Sequence, residues 1–172
     1  MRRLSPGKNH SMAAPDASPP PAPDPQPRLA AAEDFPQLWA LDQACFAPEI
    51  AYSQREMQAW LRAPGAFALV LDSAPGVIGA FLLAIAGRRQ GHIVTLDVLP
   101  ACRRRGWARR LMAAAEIRLR QAGLRTIRLE TAVDNVPAIA LYSRLGYRIH
   151  LRLPGYYPGG LDGLQLIKRI QP

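Results

Sequence analysis

Val98-Leu99-Pro100-Ala101-Cys102-Arg103-Arg104-Arg105-Gly106-Trp107-Ala108 is the stretch on which the reading of this chain turns. An apolar strand ends at Leu99, Pro100 stops it, three arginines follow, and Gly106 opens a helix. A strand–turn–helix of this kind suits a pyrophosphate. Backbone N–H groups converge in the turn, the helix dipole favours negative charge at its N-terminus, and guanidinium groups add charge-assisted hydrogen bonds. Gly106 permits close approach of the backbone to an anion, and Ala108 is too small to block it. Taken alone, so short a motif fits an ordinary basic helix start better, because short motifs match by chance.

The flanking sequence supplies the rest of an α/β fold. Downstream, residues 106–121 form a long helix, because Ala108, Leu111, Met112, Ala115 and Leu119 recur on one side; Gly123 ends it. Residues 127–133 read as a strand. Asn135 caps a shorter helix with Pro137 in its first turn, and Gly146 follows its last turn. Residues 147–153 and 164–170 read as closing strands around a loop of glycine, proline and tyrosine. Upstream, residues 66–71, 77–86 and 93–99 are strands, the first two joined by a turn at Ser73-Ala74-Pro75-Gly76. A short strand at 28–32 and helices at 33–45 and from Ser53 precede them. Ser53 and Glu56 have capping-box spacing. The order β-α-α-β-β-β-α-β-α-β-β predicts one mixed, mostly antiparallel sheet with helices on both faces.

Residues 1–27 are different. Eight of the 17 prolines lie there and almost no apolar side chain does, so a disordered, proline-rich tail is expected ahead of a domain at 28–172. No apolar run follows Arg2, Arg3 and Lys8, which argues against a secretory leader. No stretch is long and apolar enough for a membrane helix. Cys45 and Cys102 are too far apart for a metal motif and read as reduced thiols of a cytoplasmic protein. The net charge of +9 calls for an anionic partner. Nine arginines fall between 103 and 128 against one acid, Glu116, so much of the excess charge sits beside the anion turn. Nucleic-acid binding would interleave aromatics with those arginines, and Trp107 is the only one there.

Arg103-x-x-Gly106-x-Ala108 is similar to the R/Q-x-x-G-x-G/A motif of the GNAT acetyltransferase superfamily. Asn135-Val136-Pro137-Ala138-Ile139-Ala140-Leu141-Tyr142-Ser143-Arg144-Leu145-Gly146-Tyr147 resembles that superfamily's N-x-x-A-x-x-L-Y-x-x-x-G-F/Y segment. Leu129-Glu130 on the strand after the long helix, and Tyr156-Tyr157-Pro158 followed by Asp162, resemble the ribosomal-protein-alanine N-acetyltransferases and related N-terminal acetyltransferases. The resemblance covers the chain from about Arg28 onward. It implies acetyl-CoA as cosubstrate and no metal. It implies that Glu130 is the general base and Tyr142 the general acid. It places the acetyl-pantetheine contacts on Leu96, Asp97 and Val98, the pyrophosphate turn on Arg103, Arg104, Arg105, Gly106, Trp107 and Ala108, and a further coenzyme contact on Asn135. Tyr52, Tyr156 and Tyr157 would border the acceptor.

This chemistry is consistent with the side chains. Acyl transfer needs a neutral amine, an α-amino group titrates near 8, and a carboxylate acting through water can take its proton. A phenol can donate to the departing thiolate. Asp97 is a rival base, and His92 reads as a loop histidine. Gly163 stands where the family usually has alanine, and Phe46-Ala47-Pro48-Glu49-Ile50-Ala51-Tyr52-Ser53 is longer than the family's aromatic-Pro-Trp-Ser segment, with Tyr52 for tryptophan. Both departures fall on the acceptor side. They weaken what the resemblance implies about the acceptor, for which a protein N-terminus remains the first expectation and a small amine or a lysine side chain the second. A non-catalytic acyl-CoA-binding module and a nucleic-acid-binding module are the other classes. No nucleic acid or membrane partner is expected, and the chain is expected to be a monomer or weak homodimer.

Overall fold

The computed structural model describes residues 24–171. Most of the expected tail, residues 1–23, lies outside the described residues. The chain enters at β1 (Arg28–Leu29), then a 3-10 turn (Ala32–Asp34), α1 (Phe35–Cys45) and α2 (Gln54–Arg62). Next come β2 (Ala66–Ala74), β3 (Val77–Ala86), β4 (Gly91–Val98), α3 (Trp107–Gln121), β5 (Thr126–Ala132), α4 (Val136–Arg144), β6 (Arg148–Tyr157) and β7 (Leu161–Arg169). The seven strands form one sheet in the order β1-β2-β3-β4-β5-β7-β6. Only β4 and β5 are parallel; every other neighbour is antiparallel. The expected fold class and element order are those observed.

Alternation along the central strands builds two cores, because successive strand residues point to opposite faces. Ala68, Val70, Phe81 and Leu83 pack against Leu38 and Leu41 of α1 and Met57 of α2. Leu69, Leu71, Leu82 and Ala84 pack on the other face against Trp107, Leu111, Met112, Ala115 and Leu119 of α3, with Tyr142 of α4. Local signals hold where sequence places them. Ser53 accepts from the Glu56 backbone N–H while Glu56 returns a bond to the Ser53 N–H, closing the capping box. Asn135 accepts from the Ala138 N–H at 3.2 Å.

Five boundaries differ from the sequence reading, and the first is that β2 runs to Ala74 instead of 71, into the expected turn. β1 is only two residues, because Arg28 turns its guanidinium between Asp34 and Asp72 and the chain bends into the 3-10 turn. β4 begins at Gly91 rather than 93, since Gly91 lies flat under Leu119; a Cβ there would come within 2.7 Å of that side chain. His92 is therefore a strand residue. The Tyr156-Tyr157 segment belongs to β6, an edge strand that tolerates Pro154 and bulges between Leu153 and Tyr157. β7 correspondingly starts at Leu161 rather than 164.

Asp42 sits on the buried side of α1, fully screened from solvent. Its Oδ2 accepts from the Tyr52 backbone N–H at 2.8 Å and from Gln43, which ties the α1–α2 connection to α1. Burial pushes its carboxyl from 3.8 up to about 6, against the pull of those hydrogen bonds. The folded chain thus binds this proton more tightly than the unfolded chain does. Stability is greatest below the unfolded value and declines as pH rises through the folded one. The decline is on the order of 2–3 kcal/mol. Asp42→Asn should shrink the fall in unfolding free energy between pH 4 and pH 7, read from urea titrations at each pH. An unchanged fall would place the proton elsewhere.

Candidate active site

β4 and β5 pair at only three positions, Gly91↔Ile127, His92↔Arg128 and Ile93↔Leu129. Past Ile93 they separate, while β4 stays paired with β3 as far as Val98. The β3 register steps from Ala84↔Ile93 to Leu83↔Thr95, so Val94 is bulged out of the ladder. The wedge between the strands becomes a cavity of about 170 Å³. Val94, Thr95 and Leu96 of β4 and Leu129, Glu130, Thr131 and Ala132 of β5 form its sides. Asp42, Phe46, Ile50 and Tyr52 close it from the α1–α2 side, and Asn135, Ala138, Tyr142 and Tyr157 from the α4 and β6 side. Beyond Ile93, the backbone groups of β4 that face β5 have no ladder partner and are open to an extended amide-bearing ligand.

Glu130 projects from β5 on the side opposite Leu129, and its side chain is 7% exposed. Its Oε2 lies 2.7 Å from His92 Nε2. Its Oε1 accepts from Gln165 at 3.0 Å and from Arg128. Burial raises the pKa of this carboxyl, but the His92 and Gln165 hydrogen bonds and the Arg128 charge outweigh it and hold the group below its ordinary value. Tyr142 reaches the same cavity from α4, buried and edge-on to Tyr147 at 6.0 Å. Its phenol is pushed up by burial, then by the Asp97 and Tyr157 charges, so it keeps its proton.

Asp97 is 1% exposed and is not among the cavity walls. It accepts from Thr95 Oγ1 at 2.6 Å, and burial drives its pKa well above the usual carboxylate range.

At the far end of β4, a 3-10 turn (Pro100–Cys102) leads into the arginine turn. Arg104 and Gly106 both have positive φ, 63° and 76°. Left-handed residues so close together curl successive N–H groups into an anion-binding concavity. No side chain caps α3 at Gly106, and a Cβ built there meets nothing within 4 Å. Arg103 donates to the Val98 carbonyl at 3.0 Å, while Arg104 and Arg105 are exposed. The Trp107 ring is buried and anchors the helix, so only its backbone is available to a ligand.

The structure thus gathers Leu96, Glu130, Asn135, Tyr142, Tyr52 and Tyr157 around one cavity. Asp97, Val98, Tyr156 and the turn from Arg103 to Ala108 lie outside its walls. Tyr156 stands exposed, edge-on to Tyr157 at 5.0 Å. Gly163, the departure noted above, lies beneath it, where a Cβ would press on the Tyr156 ring at 3.1 Å. Among the described residues no cluster of three metal-ligating side chains occurs, and no helix is long and apolar enough to cross a membrane.

The model of the acetyltransferase (GNAT) family matches residues 35–147, well over half of the chain. The chain belongs to the GNAT acetyltransferase family. An N-alpha-acetyltransferase of Saccharolobus solfataricus is 40% identical over 83 residues, covering 48% of this chain and 50% of that protein. The chain spans about half the length of the first curated relatives it matches. The solved ribosomal-protein-S18-alanine N-acetyltransferase from Escherichia coli superposes with a TM-score of 0.77 at 23% identity, covering 86% of this chain and 94% of that one. Arabidopsis thaliana NAA60 in complex with acetyl-CoA gives 0.75 at 22% identity, covering 84% and 97%.

Within this GNAT site, sequence reading placed the segment that holds Phe46 and Ile50 on the acceptor side and missed Asp42, His92, Thr131 and Gln165. Gln165 was accessible only through the register Glu130↔Gln165, and His92 only once Gly91 was known to lie in the strand. Asp42 had one signal, an acid between the buried Leu38 and Leu41 and the rest of α1. The Glu130 environment makes a direct prediction. Carbon-detected NMR of its carboxyl should give a titration midpoint below the ordinary 4.5, and Gln165→Leu, which deletes one donor, should raise it. A midpoint above 4.5 in the native chain would show that desolvation wins.

Proposed function

We propose that this protein transfers the acetyl group of acetyl-CoA to a primary amine, with the N-terminal α-amino group of a protein as acceptor. The observation that carries the reading is the placement of Glu130 and Tyr142 on two walls of one cavity, opened where β4 and β5 part. The residues present fit the cosubstrate. The uncapped, left-handed turn before α3 suits the pyrophosphate, and the unpaired edge of β4 suits the amides of a pantetheine arm. When bound, acetyl-CoA supplies the thioester.

Glu130 receives the amine's proton, directly or through one water. A carboxylate of low pKa is adequate for this, because attack on the thioester carbonyl makes the amine nitrogen cationic and far more acidic than a free ammonium. The carbonyl carbon gains the C–N bond and loses the C–S bond, and the sulfur leaves with the electron pair. Tyr142, kept protonated by its burial, donates to that sulfur. Asp97 is the weaker candidate for base, since it lies outside the cavity walls, shut off from solvent and tied to Thr95. The α-amine acceptor is supported by the named activities of the relatives above and by the acceptor side of the cavity, where Phe46, Ile50, Tyr52 and Tyr157 offer apolar and aromatic surface.

Thiol release from acetyl-CoA tests the acceptor. Peptides with a free N-terminus should support turnover. The same peptides blocked at the N-terminus but carrying lysine, and a small polyamine, should not; the reverse pattern would move the acceptor to a side chain or a metabolite. With a working acceptor, Glu130→Gln and Tyr142→Phe should each lower kcat by roughly ten- to ten-thousandfold. Coenzyme A affinity should hold in both. Full activity in Glu130→Gln with loss in Asp97→Asn would reassign the base.

The cofactor turn gives a separate test. A Cβ at Gly106 meets nothing within 4 Å, so Gly106→Val costs on the order of 1–2 kcal/mol of backbone strain and should leave the domain folded. Coenzyme A affinity, measured by calorimetry, should drop at least about tenfold. Unchanged affinity would remove the turn from the cofactor site.

A further inference from the structure

Glu130 is held by three strands at once. His92 and Arg128 are register partners across β4 and β5, and Glu130 and Gln165 across β5 and β7. The Arg128 guanidinium touches both neighbours, with Nη1 on Glu130 Oε1 and Nη2 3.3 Å from His92 Nδ1. A guanidinium only donates. His92 Nδ1 is therefore an acceptor, and the ring proton resides on Nε2, which donates to Glu130 Oε2 at 2.7 Å. The two carboxylate oxygens are thereby made unequal. Oε1 takes Arg128 and Gln165, whereas Oε2 takes His92 alone and retains a free lone pair.

Trp60 of α2 meets the imidazole edge-on, with centroids 6.1 Å apart. The contact links a helix of the acceptor side to the carboxylate. The other titratable groups that bear on Glu130 are the phenols of Tyr156 and Tyr157 on β6, both pushed up by burial.

We propose that His92 is a positioning residue for the acetyl transfer: through its Nε2–H it selects Glu130 Oε2 as the proton-receiving atom and holds that oxygen in place, with Trp60 packed on the imidazole. This rests on the reading of Glu130 as the base. His92 acts through Glu130 and contacts neither the amine nor the thioester in this scheme. Its Nδ1 is committed to Arg128, so it relays no proton.

The test uses the full chain with a working acceptor. His92→Phe keeps a ring against Trp60 and deletes the donor. It should lower kcat on the order of tenfold, leave the KM for acetyl-CoA unchanged, and move the acidic limb of the kcat profile upward as the carboxylate loses a donor. His92→Gln, whose terminal amide places an N–H near the same point, should restore most of the rate and return the limb. In the Glu130→Gln background, His92→Phe should cost little further. A His92→Phe enzyme with the native rate and pH profile would overturn the proposal, as would an equal loss in both backgrounds. So would a failure of His92→Gln to rescue, because that marks a packing role. Failure of the underlying reading looks different: Glu130→Gln would itself retain full activity.

Discussion

Past Ile93, β4 keeps its hydrogen bonds to β3 and gives up those to β5. The other strand pairs in this sheet are antiparallel and more extensively matched, apart from the two-residue β1. The single parallel pair is also the one that ends early, so the sheet opens at its centre instead of at an edge. Two consequences follow from that geometry. The cavity is walled by backbone and by side chains anchored in strands, which gives it a defined shape. And the chain leaving β4 passes through the arginine turn at the far end of that strand before α3 returns across the sheet. Val94, bulged out of the β3 ladder, allows β4 to bend away from β5 without losing β3.

Features whose cause is local were legible in the sequence. The capping box at Ser53 and Glu56, the N-cap at Asn135, and the positive φ of Gly106, Gly123 and Gly146 each depend on a few neighbouring residues. So does the alternation that sends Ala68 and Val70 to one core and Leu69 and Leu71 to the other. What failed depends on residues distant in sequence. Gly91 falls outside the strand expected at 93–99, yet its missing side chain makes room for Leu119, 28 positions later. Moving the start of β4 back to Gly91 turns His92 from a loop residue into a partner of Glu130. The tyrosine pair likewise read as a loop, because Pro154, Gly155 and Pro158 surround it. On an edge strand those residues interrupt no second ladder.

The positive charge follows the same division between local pairing and open surface. Arg118 lies over the Phe67 ring at 5.2 Å, Arg110 pairs with Asp24, and Arg128 is committed to Glu130 and His92. Arg103 is drawn back onto the Val98 carbonyl. Arg104 and Arg105, exposed on the turn itself, make no side-chain hydrogen bond or ion pair among the described residues. On the turn itself the cluster thus contributes these two exposed guanidinium groups beside a curl of backbone N–H. That arrangement matches a compact phosphate group better than an extended polyanion.

Three carboxylates near the cavity show how environment sorts one functional group into different roles. Asp42 and Asp97 are buried with few donors, each has one oxygen without a partner, and both are pushed toward the neutral form. Glu130 is almost as secluded, but three donors converge on it and it stays ionised. Seclusion alone would have made all three alike. The difference lies in the donors that β4, β5 and β7 bring to Glu130, and those donors depend on sheet register. A one-residue slip of β7 would withdraw Gln165 to the opposite face, and a slip of β4 would withdraw His92. The register of the central strands therefore does more than seat the cores. It keeps a charged carboxylate where the surrounding protein would otherwise neutralise it, and only a charged carboxylate there can take a proton.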